Sequence, residues 1–332
     1  MHVTELLQRY RAGETDFQGE NLCGADLTGV DLIGADLTGA DLSGATLTLA
    51  YLNRVNFSKA NLIGARLCGA NLSQADLIRA NLSDADLHGA ILYGADMRGA
   101  DLTLVTLLDA NLISADLRSV KLGGANLRGA CLRGANFRYE KRVYEGVVLR
   151  GADLRIADLR GANLTGADLT KANLTGASLS EANLREVNLT GANLTGADLS
   201  GSFLTDSLLV EANLHQAKLV NAKLERSNLS EANLSEANLT GANLTAALLP
   251  KANFVRAILK QVRFNRADLS RADLRQANLT EATLIDAYLG RADLREANLT
   301  DANMAKAELS SANLTGAELW GATLPDGSSY SG

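Results

Sequence analysis

Apolar residues recur every five positions along almost the whole chain. In the run from Gly161 to Gly176, an alanine stands two residues before each leucine, and an aspartate or asparagine lies between them. The leucines are Leu164, Leu169 and Leu174, and the alanines are Ala162, Ala167 and Ala172. A five-residue period fits neither the 3.6-residue period of a helix nor the two-residue period of a strand. The pattern predicts a short extended segment followed by a turn, repeated many times, which is typical of a solenoid.

The repeats form two blocks that are out of phase. Every fifth residue from Phe17 to Phe137 is Leu, Phe or Met, and the pattern resumes at Leu149 and continues to Leu324. Phe137 and Leu149 are 12 positions apart, which is two more than a multiple of five. The intervening segment lacks the alanine signature and is rich in Arg, Lys, Glu and Tyr. We therefore predict a first repeat block at residues 15–137, a loop insertion at 138–148 and a second block at 149–324.

The sequences at the two ends of the repeats differ from the repeats themselves. Residues 3–12, within an N-terminal segment 1–14, predict a short capping helix with Thr4 as its N-cap and an apolar face of Leu6, Leu7 and Tyr10. Such a helix would cover the apolar core that a solenoid exposes at its end. The tail at 325–332 begins with Pro-Asp-Gly, a turn sequence that ends the repeats. We expect Trp320 to help cover the final coil, with a partner anchor as the alternative.

The motif A(D/N)Lxx in long tandem resembles the pentapeptide-repeat proteins, and the resemblance extends from Phe17 to Leu324. It implies an all-β fold, a right-handed quadrilateral β-helix with four repeats in each coil and one face for each repeat. The central Leu and the small Ala would point inward, with Ala allowing the tight bend at the corner. The repeats would then make about 15 coils, or a length of roughly 70 Å at ordinary strand spacing.

Composition and motifs narrow the function. The net charge of −6 disfavours bulk nucleic-acid binding, and the three cysteines show no metal-ligand spacing. No phosphate loop, nucleophile elbow or paired histidines are present, so we expect no enzyme activity, no cofactor, no metal and no small-molecule substrate. No apolar stretch is long enough to span a membrane and no secretory signal is visible. These features predict a cytoplasmic, monomeric protein that binds a protein partner whose identity the sequence does not give. The resemblance to the pentapeptide-repeat proteins implies a bacterial protein.

Three groups of residues are candidates for partner binding. A loop on a rigid scaffold often carries function, and the insertion supplies Tyr139, Lys141, Arg142 and Tyr144. Apolar residues at outward positions are the second signal, because exposed apolar groups that gather mark contact sites. If residues 20 apart stack, one such patch in the first block contains Tyr51, Ile91, Tyr93 and Ile113. In the second block Phe203 and Leu208 cluster with Val210.

The outward charges leave alternatives open. One column of outward residues is rich in Asp, and some proteins of the resembling family imitate DNA and bind type II topoisomerases, giving quinolone resistance. Short Asp and Asn side chains could instead bond neighbouring backbone N–H groups, and Arg98, Arg118 and Arg138 would neutralise the column. Residues 251–275 carry an excess of positive charge that suits an acidic partner. The function we favour is a non-catalytic interaction scaffold, the alternatives being a DNA mimic and a purely structural module.

Overall fold

A computed structural model describes residues 1–137 and 147–331. The chain divides into two compact units, residues 1–169 and 170–332. The helix of the described residues is α1, Val3–Arg11. All other regular structure among these residues consists of isolated β-bridges one residue wide, and nearly all of them are parallel.

Residues 20 positions apart form these bridges in the first unit. One continuous series joins Asp16, Asp36, Asn56, Asp76, Asp96, Asp116 and Asn136, and three further series follow the other faces. Four five-residue repeats therefore complete one coil. The predicted stacking of residues 20 apart is confirmed, and each face presents one outward column that can be read from the sequence.

Within the first unit the register of the described residues changes at the junction of the two repeat blocks. Lys121 bridges Val148, 27 positions later, and Asn126, Cys131 and Asn136 are likewise joined to residues 27 positions on. This coil is seven residues longer than the others, which explains the phase difference between the blocks. Val147 is buried and Val148 also bridges Asp168, so these two residues belong to the stack and not to the predicted insertion. Residues 138–146 lie outside the described residues.

The second unit repeats the 20-residue register without interruption. One series joins Asn173, Asn193, Asn213, Asn233, Asn253, Asp273, Asp293 and Asn313. The centre of nearly every repeat in both units is a fully buried Leu, and the residue two before it is a buried Ala or Val. The rare aromatic centres are also buried, and Phe254 and Phe264 meet edge to face with their ring centroids 5.9 Å apart. The inward assignment made from the sequence is confirmed.

Each five-residue repeat can satisfy all of its backbone N–H groups. In the repeat Asp41–Ala45, three groups bond adjacent coils, one bonds the repeat's own aspartate and one closes a turn. The five bonds run from Asp41 N to Glu20 O (3.0 Å), Leu42 N to Asn61 O (2.8 Å), Ser43 N to Asp41 Oδ1 (3.0 Å), Gly44 N to Ile63 O (2.9 Å) and Ala45 N to Leu42 O (3.0 Å). Asp or Asn is favoured before the leucine because its short side chain accepts the otherwise orphaned N–H two residues on.

The tight bend lies two residues after each leucine and not at the alanine, so the predicted role of alanine in bending was wrong. Residues at this corner have φ values near +60°, whether they are Gly44 (64°), Leu49 (57°) or Ile156 (53°). The left-handed conformation is easy for glycine and costly for a β-branched residue, which explains why glycine is frequent there. Alanine follows the corner as a buried inward residue.

Helix α1 lies against the first coil. Leu6 is fully buried, Tyr10 Oη donates to Ile33 O (2.9 Å), and the terminal amine of Met1 donates to Asn21 O (2.8 Å). The capping helix is confirmed, but its N-cap is His2 and not Thr4, because the helix already begins at Val3. His2 makes no side-chain capping bond. The helix is held by its tertiary contacts more than by its own cap.

The C-terminal tail turns back on the last coil. Thr323 and Ser329 form an antiparallel bridge, and Gly321 N donates to Tyr330 O (2.9 Å). The predicted turn at the end of the repeats is thus present. Trp320 is mostly exposed, so the expectation that it covers the final coil was wrong. Trp320 directly follows the central residue Leu319 and precedes the corner at Gly321. Side chains at this position of the repeat point to solvent.

Candidate partner-binding surface

The predicted apolar patch of the first unit lies on one face of the β-helix. Tyr51, Asn71, Ile91 and Asn111 are joined in one series of parallel bridges. Tyr93 and Ile113 follow two residues after members of this series and belong to the adjacent outward column. We call the surface made by Tyr51, Asn53, Asn71, Ser73, Ile91, Tyr93, Asn111 and Ile113 the Tyr51 face. The structure brings all four predicted residues of this patch together.

The Tyr51 face is exposed and carries no charged side chain. Tyr51 is 55% exposed, Tyr93 48% and Ile91 38%, whereas Ile113 is half-buried. Asparagine and serine fill the remaining outward positions, and their side chains fold onto the backbone, as when Asn71 Oδ1 accepts from Ser73 N (3.1 Å). Large aromatic and aliphatic groups therefore stand above short, internally bonded polar groups. Aromatic residues with few charges are the composition found at the centre of protein interfaces.

Two further apolar residues border this face and were not predicted. Leu49 is 63% exposed at the corner beside Tyr51, and its side chain extends over Gly69 of the next coil. A Cβ atom at Gly69 would come within 2.8 Å of Leu49 Cδ2. Ile33 lies one coil before Asn53 in the same outward column and is also exposed. A leucine at a corner where glycine is common was the available signal for Leu49.

The acidic column of the first unit is locally neutralised. Asp96 pairs with Arg98 (Oδ2 to Nη2, 2.6 Å), and Asp116 pairs with Arg118 (2.6 Å). Partial burial of Asp96 acts to raise the pKa of its carboxyl, but the hydrogen bonds and charge of Arg98 outweigh burial and hold that pKa below its ordinary value. The Asp side chains also accept backbone bonds, as Asp36 does from Thr38 N (2.9 Å). The backbone-bonding explanation of this column is confirmed, and the arginines interrupt the negative charge that a DNA mimic needs.

Phe203 and Leu208 of the second unit lie on adjacent faces, in different series of bridges. The ring of Phe203 is covered by Arg185, whose Cζ lies 4.6 Å from the ring centroid, and by Lys223, whose Nζ lies 4.2 Å away. Cation–π contacts with neighbouring coils thus occupy Phe203, which offers little open apolar surface. Leu208 remains exposed. The predicted cluster of these two residues does not form one patch.

The candidates Tyr139, Lys141, Arg142 and Tyr144 lie outside the described residues. Within residues 1–137 and 147–331, no group of three or more His, Cys, Asp or Glu side chains could hold a metal ion. The imidazole of His215 is hydrogen-bonded to the adjacent coil, since its Nδ1 lies 2.9 Å from Ser235 Oγ. The part of the chain that is described contains no helix long and apolar enough to cross a bilayer.

Comparison with known proteins identifies the repeat. The family model described as pentapeptide repeats matches successive segments that together cover residues 13–138 and 145–326. The chain belongs to the pentapeptide-repeat family. Its fold is therefore the right-handed quadrilateral β-helix of this family, as predicted. Pentapeptide-repeat proteins are in general structural or interaction modules.

Solved structures of pentapeptide-repeat proteins are similar to this chain. HetL, described as involved in heterocyst differentiation regulation in the cyanobacterium Nostoc sp. strain PCC 7120, is 30% identical over 99% of this chain and 100% of its own, with a TM-score of 0.30. QnrB1, described as a plasmid-mediated fluoroquinolone resistance protein, is 19% identical over 68% of this chain and 82% of its own, with a TM-score of 0.33. A pentapeptide repeat protein from the thylakoid lumen of Arabidopsis thaliana is 29% identical over 41% and 66%, with a TM-score of 0.13. No curated protein sequence matches the chain.

Proposed function

We propose that this pentapeptide-repeat protein is a non-catalytic scaffold that binds a protein partner through the Tyr51 face. The observation that supports the proposal best is the combination, on one surface, of two exposed tyrosines, two isoleucines and no charge. Tyrosine gives a large contact area at a small entropic cost, and its hydroxyl can still bond a partner. Residues of this kind at the centre of an interface commonly carry most of the binding energy.

The backbone supports the same role. Adjacent coils are bonded through three of the five N–H groups of a repeat, so the outward side chains stand on a rigid surface. A pre-formed surface loses little conformational entropy when it binds. The DNA-mimic alternative has less support, because Arg98 and Arg118 pair with the aspartates of the acidic column.

The double substitution Tyr51→Ser with Tyr93→Ser tests the Tyr51 face. The wild-type protein, this variant and a control are immobilised as baits in a soluble extract of the source organism, and the captured proteins are quantified by mass spectrometry. The control, Ile63→Ser with Leu104→Ser, removes two exposed apolar residues from outside the Tyr51 face. We expect one protein to be captured by the wild type and the control and to fall at least tenfold with the double tyrosine variant. Equal capture by all three baits would contradict the proposal.

The insertion is a second part of the proposal, and the register suggests how to remove it. Deletion of Arg138–Tyr144 takes out the seven extra residues and the four candidate side chains together. The joined sequence Phe137-Glu145-Gly146-Val147-Val148-Leu149 then reads as an uninterrupted repeat with glycine at the corner. We expect this deletion to keep the melting temperature and to weaken capture of the partner. Unchanged capture would remove the insertion from the binding surface while leaving the Tyr51 face untouched.

A further inference from the structure

A second surface, in the unit 170–332, carries large apolar residues at regular intervals. Leu208, Leu248 and Tyr288 lie in one series of bridges and alternate with Asn228 and Asp268. Leu208 is 44% exposed, and Leu248 and Tyr288 are each 47% exposed. Every second coil therefore presents a large apolar group on this face. We call this column, together with its neighbour Val210, Ser230, Pro250, Ser270 and Gly290, the Leu208 face.

The neighbouring column is made of small residues, so the face has a shallow floor. Pro250 is tolerated there because the N–H at this position normally bonds an Asp or Asn two residues earlier, and Leu248 has no such acceptor. Pro250 still accepts the interior bond from Glu231 N (2.9 Å). At the far end Tyr288 lies over Gly290, where a Cβ atom would be 2.6 Å from the tyrosine Oη. The floor thus has no side chain larger than valine and ends at the tyrosine ring.

The spacing of the three large residues matches that of an α-helix. Coils stack about 4.8 Å apart, so residues two coils apart are separated by roughly 9.6 Å. Residues seven positions apart on a helix are separated by about 10.5 Å and project from the same side. A helix that lies along the stacking direction would meet Leu208, Leu248 and Tyr288 with three residues one heptad apart. A strand laid in the same direction would not keep its side chains on one side with this spacing.

The charges beside the Leu208 face are uneven. The corner residues along one edge are Glu211, Glu231, Lys251, Arg271 and Arg291. Lys251 is paired with Glu231 (2.7 Å), whereas Arg271 and Arg291 have no side-chain partner among the described residues and are exposed. The opposite edge mixes Arg266, Asp286 and Lys306, and Asp268 lies on the face itself. One edge beside Leu248 and Tyr288 is therefore positively charged and available for an acidic group.

We propose that the Leu208 face binds an amphipathic α-helix of a protein partner, with apolar residues one heptad apart and acidic residues along one flank. The apolar residues would pack on Leu208, Leu248 and Tyr288, and the acidic flank would lie beside Arg271 and Arg291. Such a partner satisfies both features of this surface, since the apolar column supplies contact area and the arginines select charge and direction. This binding mode is independent of the Tyr51 face.

A displayed library of helical peptides of about 18 residues tests the proposal. The full chain is the bait, and the library keeps leucine at three positions one heptad apart while the remaining surface positions vary. We expect enrichment of Asp and Glu on one flank of the leucines. Absence of any enriched sequence, or enrichment of basic flanks, would overturn the proposal.

Fluorescence polarisation with the enriched peptide then places it on the protein. We expect Leu248→Asn with Tyr288→Asn, and separately Arg271→Glu with Arg291→Glu, to weaken its binding at least tenfold. The tyrosine variant of the other face, Tyr51→Ser with Tyr93→Ser, is the matched control and should bind as the wild type does. A peptide in which the acidic flank is replaced by lysine should gain affinity for the Arg271→Glu, Arg291→Glu variant.

Binding that is unaffected by both pairs of substitutions would overturn the proposal. Light scattering of the free protein tests whether a second copy of the chain, and not a partner helix, covers the Leu208 face. If the wild type is a dimer and Leu248→Asn with Tyr288→Asn makes it a monomer, the face is covered by another copy of the chain and the helix proposal fails. Loss of peptide binding leaves the scaffold function of the Tyr51 face unaffected, because that function is measured with different variants.

Discussion

The first and last coils of this protein are built from the same repeat but bury their leucines differently. The inward residues of the first coil, Phe17, Leu22, Leu27 and Leu32, are at most 1% exposed. Those of the last coil, Leu309, Leu314, Leu319 and Leu324, are only half-buried. The difference shows that a repeat does not bury its own leucine. Each leucine is covered by the coils on both sides of it.

The coverage of these two coils explains the contrast. Helix α1 places Leu6 on the first coil and is tied to it at both of its ends, through Met1 and Tyr10. At the last coil the chain after Leu324 turns back, and Ser329 forms a bridge with Thr323. The described residues of this tail therefore bond to the last coil along one face. Burial of an apolar side chain contributes about 25 cal/mol per Å², so half-buried leucines contribute much less than enclosed ones.

The test with the largest expected change in unfolding free energy compares two leucines of one column. Leu214 and Leu314 directly follow Asn213 and Asn313, which belong to one series of bridges and lie five coils apart. Leu214→Asp places an unpaired carboxylate in the dry core and should cost more than about 4 kcal/mol of unfolding free energy. Leu314→Asp keeps contact with water and should cost about half of that or less. Denaturant unfolding measures both.

A matched surface substitution serves as the control for these two variants. Thr195→Arg changes an outward residue and should cost less than about 1 kcal/mol. The substitution removes only the two hydrogen bonds of Thr195 Oγ1, one to Asn193 (2.6 Å) and one from Asn213 (3.0 Å). Equal unfolding midpoints for the two aspartate variants, or for Leu214→Asp and Thr195→Arg, would contradict the account of the core.

Removal of the contact between α1 and the first coil is the next test. Leu6→Ala should cost about 2–5 kcal/mol of local stability, because the side chain is fully buried. Amide exchange of the first coil should then accelerate toward the rate of the last coil. Leu7→Ala, at a half-buried position of the same helix, should have a smaller effect. Unaltered exchange in Leu6→Ala would mean that the helix does not protect the coil.

A buried hydroxyl gives a smaller test. Ser202 Oγ is buried and has no hydrogen-bond partner among the described residues, whereas Ser207 Oγ donates to Leu204 O (2.6 Å). Ser202→Ala should therefore stabilise the protein by about 1 kcal/mol or more, and Ser207→Ala should be neutral or destabilising. Ala312→Ser, in the half-buried last coil, should be near neutral because water can reach the hydroxyl. A destabilising Ser202→Ala would show that Ser202 has a partner in solution.

Substitutions at the corners should change the stability least. Their effect should not depend on whether the corner lies in an interior coil or in the last coil. Ile156 and Ser311 both hold positive φ values, of 53° and 57°, and both are exposed. Replacement by glycine relieves the left-handed strain but adds entropy to the unfolded chain. We expect Ile156→Gly to stabilise by up to about 1 kcal/mol and Ser311→Gly by less, since serine is not β-branched. Thermal unfolding of the two variants and the wild type makes the comparison, and a destabilised Ile156→Gly would contradict the strain.

The five-residue spacing alone determined which side chains face inward. The same local turn recurs after every leucine, so the inward and outward positions are the same in each repeat. It also predicted the Tyr51 face, once residues 20 apart were taken to stack. The tertiary structure decided the rest. The corner conformation depends on backbone angles that spacing does not encode, and the insertion shifts the stacking to 27 positions, so that Lys121 meets Val148. Phe203 is covered by Arg185 and Lys223 because their coils are adjacent, a contact set by coil length and not by the local pattern.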